Sequence, residues 1–289
     1  MSAGLCVIGA GPAGLRAAEV AAASGVRVAI FDAMPSAGRK FLVAGRGGLN
    51  LTNADADMAA RYSGPGMPDG LWRDLLGEFG SEALRAWAAE LGVETFVASS
   101  GRVYPREMKS APLLRRWVIR LKSQGVEFHV RHRWTAIRPG SSGWELDFET
   151  PDGTRTLQFR AVVLALGGGS WPKTGSDGAW QGILRSLDVV VNPLVPANCG
   201  WEAAWPPQLL AEAEGHPLKN VAASAGGTTA GGELLITSYG LEGGLIYLLT
   251  PALRASPTLH LDLKPAFSQA ELVARLTAPG RFHLHEAFS

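Results

Sequence analysis

Residues 5–32 read LCVIGAGPAGLRAAEVAAASGVRVAIFD, and the order of residue types in this stretch decides the fold. Leu5 to Ile8 is a wholly apolar run, as expected of a strand buried on both faces of a parallel sheet. It runs straight into Gly9-Ala10-Gly11-Pro12-Ala13-Gly14. The alanine-rich residues 13–24 keep Leu15, Ala18 and Ala22 on one face, which predicts a helix, and Gly25 supplies its left-handed stop. A second apolar strand, residues 26–31, ends at Asp32. Each glycine has a separate task. Gly9 permits the tight turn, Gly11 lets backbone reach a pyrophosphate, and Gly14 lets helix and strand pack closely. The helix start offers free N–H groups and partial positive charge to phosphates. Asp32, 18 residues beyond Gly14, can accept hydrogen bonds from ribose hydroxyls. A lone glycine fingerprint is a weak signal, but strand, turn, helix, strand and terminal acid all fall in order here. The stretch reads as a dinucleotide-binding unit.

Two later glycine-rich segments narrow the ligand. Gly38-Arg39-Lys40 and residues 45–53, GRGGLNLTN, show neither helical nor strand period and combine glycine and amide residues with three cations. Such a loop can wrap a flat ligand with main-chain groups, whereas a nicotinamide domain would pass directly to another strand–helix unit. Residues 161–166 read as an apolar buried strand that ends in Gly167-Gly168-Gly169, again a place where backbone approaches a ligand closely. Together these features favour FAD.

The fingerprint, the GRK and GRGGLNLTN segments, GRVYP at 101–105, ALGGGSWPKTGSDG at 165–178 and GELLITSYGLEG at 232–243 resemble a bacterial flavoprotein family. Its members are NAD(P)/FAD-dependent oxidoreductases, aminoacetone oxidase-like and bile-acid reductase-like. The likeness runs from Leu5 to about Leu263. It implies an α/β fold: a Rossmann-type FAD-binding domain with a β-meander, interrupted by an inserted mostly-β domain with a small helical part. Residues 1–192 are assigned to the first and 193–289 to the second, which is expected to be incomplete because the family continues to a final flavin-contacting segment. Where the family carries a cysteine in the flavin loop, this chain has Gly48-Leu49, so no thiol acts there.

The candidate cofactor contacts are Gly9, Gly11, Pro12, Ala13 and Gly14; Asp32 and Ala33; Gly38, Arg39 and Lys40; Gly45, Asn50 and Thr52; Trp134; and Ala165, Gly167 and Gly168. Trp171 either packs near the bound ring or fills core. The expected reaction passes hydride between a small organic substrate and NAD(P)H, as a transient donor, or oxygen. A non-catalytic flavin-binding module and an inactive truncated form are the alternatives. No catalytic acid or base stands out.

Composition removes other classes. With 46% hydrophobic and 18% charged residues the chain can bury a sizeable core, and a net charge of +1 leaves no footprint for nucleic acid or an anionic membrane. Cys6 and Cys199 make neither a disulfide framework nor a zinc spacing. Cys6 reads as an inert small hydrophobe on the first strand. His129 and His132 read as structural, and His283 and His285 as an incidental pair, so no metal is expected. There is no signal-peptide pattern and no long apolar run, hence a cytoplasmic protein with a small-molecule substrate; the oligomeric state is not legible.

Helices are expected at 81–91, with Ser81 as N-cap, and at 110–124. Strands at 126–130, 144–148 and 156–159 read as a three-stranded meander. Beyond Val191, strands are expected at 233–238 and 259–263. The glycines of 226–232 read as a hairpin turn, and Ser268-Gln269-Ala270-Glu271 as a capping box.

Overall fold

A computed structural model describes residues 4–44, 48–62, 64 and 66–277, and it divides into two compact units between residues 194 and 195. The first unit runs β1 (Leu5–Ile8), α1 (Pro12–Ala23), β2 (Val28–Asp32), α2 (Arg39–Ala44), β3 (Thr52–Asn53), α3 (Leu71–Glu78), α4 (Ser81–Glu90), β4 (Thr95–Val97), β5 (Arg102–Pro105) and α5 (Ser110–Ser123). It continues with β6 (Glu127–Val130), β7 (Arg133–Gly140), β8 (Gly143–Thr150), β9 (Gly153–Phe159), β10 (Ala161–Leu164) and α6 (Trp180–Arg185).

The organising element is a parallel sheet in the order β10-β1-β2-β6. Side chains alternate across it, so its two faces bury different partners. Val7, Val28 and Ile30 meet Leu15 and Ala18 of α1, Trp87 of α4 and Leu113, Trp117 and Leu121 of α5. Cys6, Ile8, Ala29 and Phe31 meet Trp134, Leu146, Phe148 and Phe159 of an antiparallel β7-β8-β9 meander. Phe31 is clasped there, its ring stacked 4.4 Å from Phe148 and 4.5 Å from His129.

Three expectations are corrected. The strand at 127–130 does not open the meander; it pairs in parallel with β2, Ala29 opposite Glu127. The opening meander strand is β7, whose Pro139 conceals the strand pattern but is tolerated because β7 is an edge. β10 is also an edge, not a buried strand: its Leu164 is 38% exposed, since β1 covers only one side of it and no other strand among the described residues covers the other. Ser81 is not an N-cap. The cap position of α4 is Gly80, and the Ser81 hydroxyl, one place further in, is buried without a partner.

One buried charge ties the helical layer together. Glu19 of α1 is 4% exposed, yet its carboxylate accepts hydrogen bonds from Arg16 (2.8 Å), the Trp87 indole (2.9 Å), the Trp117 indole (3.2 Å) and Arg120 (3.2 Å). A carboxylate is tolerable in such a place only when fully partnered. The hub thus fixes how α1, α4 and α5 sit on one another.

The second unit comprises β11 (Trp201–Glu202), α7 (Pro207–Ala213), β12 (Pro217–Ala225), β13 (Thr228–Thr237), β14 (Gly240–Glu242), α8 (Gly244–Ala255), β15 (His260–Asp262) and α9 (Gln269–Thr277). Its sheet is antiparallel, ordered β11-β14-β13-β12-β15, and α8 buries Leu245, Ile246, Leu249 and Leu253 against Val221, Ala223, Leu234 and Ile236. The β12–β13 hairpin turns on Gly226 and Gly227, both with positive φ (+53° and +82°), as a two-residue primed turn demands. The capping box is present: the Ser268 N–H donates to Glu271 (2.7 Å) and the Glu271 N–H to the Ser268 hydroxyl (3.3 Å). Chiefly through that backbone bond, the Glu271 carboxyl is held below the ordinary carboxylate range.

Candidate functional site

The turn between β1 and α1 is locked to the strand ends around it. Gly9 N–H donates to Phe31 (2.7 Å), Gly38 N–H to Ala10 (2.9 Å) and Ala165 N–H to Ile8 (2.8 Å). Two glycines are needed for this closeness. A Cβ on Gly9 would run into the Ala165 carbonyl, and one on Gly14 would run into the Gly9 carbonyl and lie 3.2 Å from the Ala165 side chain. At Gly11 and Gly168 the situation differs: no protein atom lies within 4 Å of where a Cβ would stand. Their missing side chains serve no internal packing, so the backbone there is bared to whatever docks on the turn.

Asp32 closes the arrangement from the end of β2. One carboxylate oxygen accepts the Ala10 N–H at 2.7 Å and the other the Met34 N–H at 2.7 Å. It therefore stiffens the glycine turn itself, and each oxygen retains lone pairs for a further donor.

Beside Asp32 opens a cleft of about 360 Å³, with Gly9, Asp32, Ala33 and Trp134 among its walls and Asp177 and Trp180 facing them. Trp134 is 7% exposed and donates its indole N–H to Ala136 (2.8 Å), so its ring is fixed. The two sides are linked by Arg133, which reaches Asp177 at 3.3 Å, and Trp180 donates to the Gly167 carbonyl at 3.1 Å. His132 also lines this cleft, its Nδ1 2.8 Å from the Val130 carbonyl oxygen.

Of Gly38, Arg39 and Lys40, only Gly38 lies outside regular structure, in the turn that leads into a helix. Arg39 and Lys40 begin the short helix α2, which packs against α5. The Nε of Arg39 is buried without a partner, which is costly unless a group outside the protein meets it. Lys40 crosses to the residue 167–178 turn, donating to the Ser170 hydroxyl (2.7 Å) and approaching that of Ser176 (3.4 Å), which itself donates to the Gly168 carbonyl (3.0 Å). The second half of the GRGGLNLTN segment is no free wrap either. Leu51 N–H bonds Val103, and Thr52 and Asn53 form β3 against β5. Asn50 is exposed. Gly45 lies outside the described residues, as do His283 and His285.

The structure thus gathers Gly9, Gly11, Pro12, Ala13, Gly14, Asp32, Ala33, Gly38, Trp134 and Ala165 around the end of β1 and β2, with Gly167 and Gly168 on the turn that Lys40 holds. Trp171 is 51% exposed and so is no core residue. Burial pushes the Cys6 thiol far up, which keeps it protonated and inert. Ser170, Ser176, Trp180, Arg133 and Asp177 were not singled out in the sequence. The only available signal was hydroxyl and acidic residues beside the glycine run, and that pattern is common in ordinary turns. Among the described residues no group of three His, Cys, Asp or Glu is placed to hold a metal, and no helix is long and apolar enough to cross a membrane.

Residues 3–241 match the HI0933-like protein Rossmann domain, and residues 195–288 match the HI0933-like protein barrel and H2TH domain. The 3-dehydro-bile acid delta(4,6)-reductase of Clostridium scindens is 31% identical over 243 residues, covering 82% of this chain and 57% of that protein. The ribosomal RNA dihydrouridine synthase of Escherichia coli K12 is 24% identical over 263 residues, covering 90% of this chain and 63% of that protein. The chain therefore spans about three fifths of the length of these curated relatives. Among solved structures, the 3-ketosteroid-delta4-(5alpha)-dehydrogenase of Rhodococcus jostii RHA1 aligns with a TM-score of 0.44 at 17% identity, over 58% of this chain and 46% of that one.

Proposed function

The chain belongs to the HI0933-like family, and from that premise we propose that it is the FAD-holding part of a flavin-dependent reductase acting on a carbon–carbon double bond conjugated to a carbonyl. The observation that carries the FAD reading is the glycine turn: Gly9 and Gly14 are consumed by packing, while Gly11, which follows the Ala10 that Asp32 holds, presents bare backbone, as does Gly168 on the 167–178 turn. The orphaned Arg39 Nε adds a buried donor that a bound anion or carbonyl would satisfy.

In this reading the N–H groups at the start of α1, with Pro12 and Ala13, hold the pyrophosphate. Asp32 and Ala33 receive the adenosine half, with Trp134 walling that end of the cleft. Arg39 and Lys40 set positive charge beside the cofactor, and Ala165, Gly167 and Gly168 support it from the other strand end; Gly38, Gly45, Asn50 and Thr52 complete the set. When bound, FAD supplies reversible two-electron transfer; the protein supplies orientation, access and local charge.

The reaction class comes from the relatives. A delta(4,6)-reductase and a dihydrouridine synthase both saturate ring double bonds next to carbonyl groups. The proposed substrate is a small organic molecule. NAD(P)H is the proposed transient electron donor, and the proposed setting is the cytoplasm. Residues 1–192 form the cofactor domain in this proposal, and those from 193 an inserted domain. Heat release and chromatography of the bound nucleotide tests the cofactor assignment. FAD is expected; nicotinamide nucleotide alone would overturn it.

A further inference from the structure

We infer that Trp171 and Ser170 form a seat for a flat ring bearing a carbonyl group, in which the Ser170 hydroxyl donates to the carbonyl oxygen and the Trp171 ring supports the ring face. The inference rests on the proposed function for its view of this ring as the substrate.

Residues 171–176 make a closed turn in which Trp171 and Ser176 exchange both main-chain hydrogen bonds, each 3.1 Å, while Thr174 and Gly175 bond back to Trp171 and Pro172 at 3.0 Å. The Thr174 hydroxyl adds a bond to the Trp171 carbonyl (2.9 Å). A residue held in this way loses little freedom on binding, yet its large apolar side chain remains half exposed. Directly opposed partners in an antiparallel pair put their side chains on the same face. The pairing thus gives Trp171 and Ser176 a shared face, and Lys40 stands 3.4 Å from the Ser176 hydroxyl and 2.7 Å from that of Ser170.

The polar half follows from donor counting. Lys40 donates to Ser170, and among the described residues no carboxylate neutralises this ammonium group. Ser170 uses its oxygen to accept that bond, while its own proton has no acceptor among the described residues. A hydroxyl that accepts from an ammonium group is polarised into a stronger donor. An exposed, strengthened donor beside an exposed aromatic face fits a ring carbonyl: stacking fixes the plane and the hydroxyl fixes the oxygen. Both lie next to Gly167 and Gly168, which the proposed function gives to the cofactor. Lys40 is the positioning residue, orienting Ser170.

The test uses the full chain as purified, with two readouts. Flavin content is measured from the visible spectrum, and ring binding by calorimetric titration with a 4-en-3-one steroid, its 3-deoxy analogue and uridine. The expected result is that the ketone binds and the deoxy analogue binds about 10-fold more weakly, the loss of one hydrogen bond to a charge-polarised group. Trp171→Ala should weaken ketone binding about 5-fold and Trp171→Phe should recover most of it. Ser170→Ala should weaken the ketone but leave the deoxy analogue unchanged. Flavin content should stay at the parent level in all three variants. Uridine sharing this pattern identifies a nucleobase as a source of the same chemistry; uridine failing to bind while the steroid does leaves the steroid-like ring. The inference is overturned if no ring binds, if Trp171→Ala or Ser170→Ala leaves ketone binding intact, or if these variants lose flavin instead, which would give the seat to the cofactor. A chain without any FAD sinks the proposed function alone, because the titration still reads the seat.

Discussion

Replacing Glu19 by alanine should be among the most damaging single changes in the first unit. The carboxylate is 4% exposed and is met by two arginines and two indole N–H groups. Removing it leaves both indole donors unsatisfied between α1, α4 and α5, and strips the nearby Arg120, whose side chain is 24% exposed, of its buried partner. Breaking a buried pair from one side costs about 3–5 kcal/mol. Arg16 and Arg120 reach solvent in part and can rehydrate, which places the expected loss near the lower end, about 3 kcal/mol. Against a typical stability of about 5–15 kcal/mol that is a large fraction. Glu19→Gln keeps the shape and one acceptor but turns an amide N–H₂ toward a donor, so about half that loss is expected, roughly 1.5 kcal/mol. Arg120→Ala, which leaves Arg16 and both indoles on the carboxylate, should cost less than either. Urea unfolding followed by circular dichroism gives the three midpoints, and an unchanged slope shows that native stability moved. If Glu19→Ala costs under about 1 kcal/mol, the carboxylate is not the tie between these helices and the reasoning fails.

Asp32→Ala should weaken FAD binding by about 1–3 kcal/mol and loosen the glycine turn, since Ala10 N–H loses its acceptor; an unchanged dissociation constant in a flavin-fluorescence titration removes Asp32 from the site. Gly14→Ala should abolish retention of FAD during purification, because the new Cβ meets the Gly9 carbonyl, and a fully yellow variant protein would contradict that packing. The Asp147 carboxyl is held below the ordinary carboxylate range, first by its hydrogen bond to Arg138 and then by that from Thr156. A lowered native pKa contributes stability above the ordinary range that is lost as pH falls through the native value, so Asp147→Asn should flatten the acid limb of the thermal midpoint against pH. An acid limb that stays as steep as in the parent counts against that network.

Residues 5–32 were legible because each step there is local: an apolar run, glycines at fixed offsets, an alanine-rich helix and an acid at the next strand end. β1 emerged with the bounds expected, and α1 and β2 shifted by one or two residues. The capping box at Ser268 and the glycine hairpin at 226–227 are local too, and both are present. What was misread depends on partners far along the chain. The strand at 127–130 has the same alternation whether it joins a meander or a parallel sheet, and only the burial of Phe31 against Phe148 and His129 distinguishes them. Lys40 looked like a loop cation, yet its hydrogen-bond partners are hydroxyls some 130 positions away. Glu19 went unremarked because nothing near it in sequence announces two tryptophans from other helices.

The contact between Gly9 and Ala165 has a consequence for how the molecule comes into being. The β1 strand has β2 on one side, available almost at once, but on the other side it waits for β10, with Leu5 opposite Ala161. The glycine turn leaves the ribosome well before β10 and cannot take its final form until nearly the whole first unit has followed. Pairings of this separation are slow to close, because a long loop must be ordered before any contact rewards it. Until then β1 offers an apolar edge to solvent and to other nascent chains. The nucleotide fingerprint at the start of the sequence is therefore among the last parts of the unit to become a binding surface.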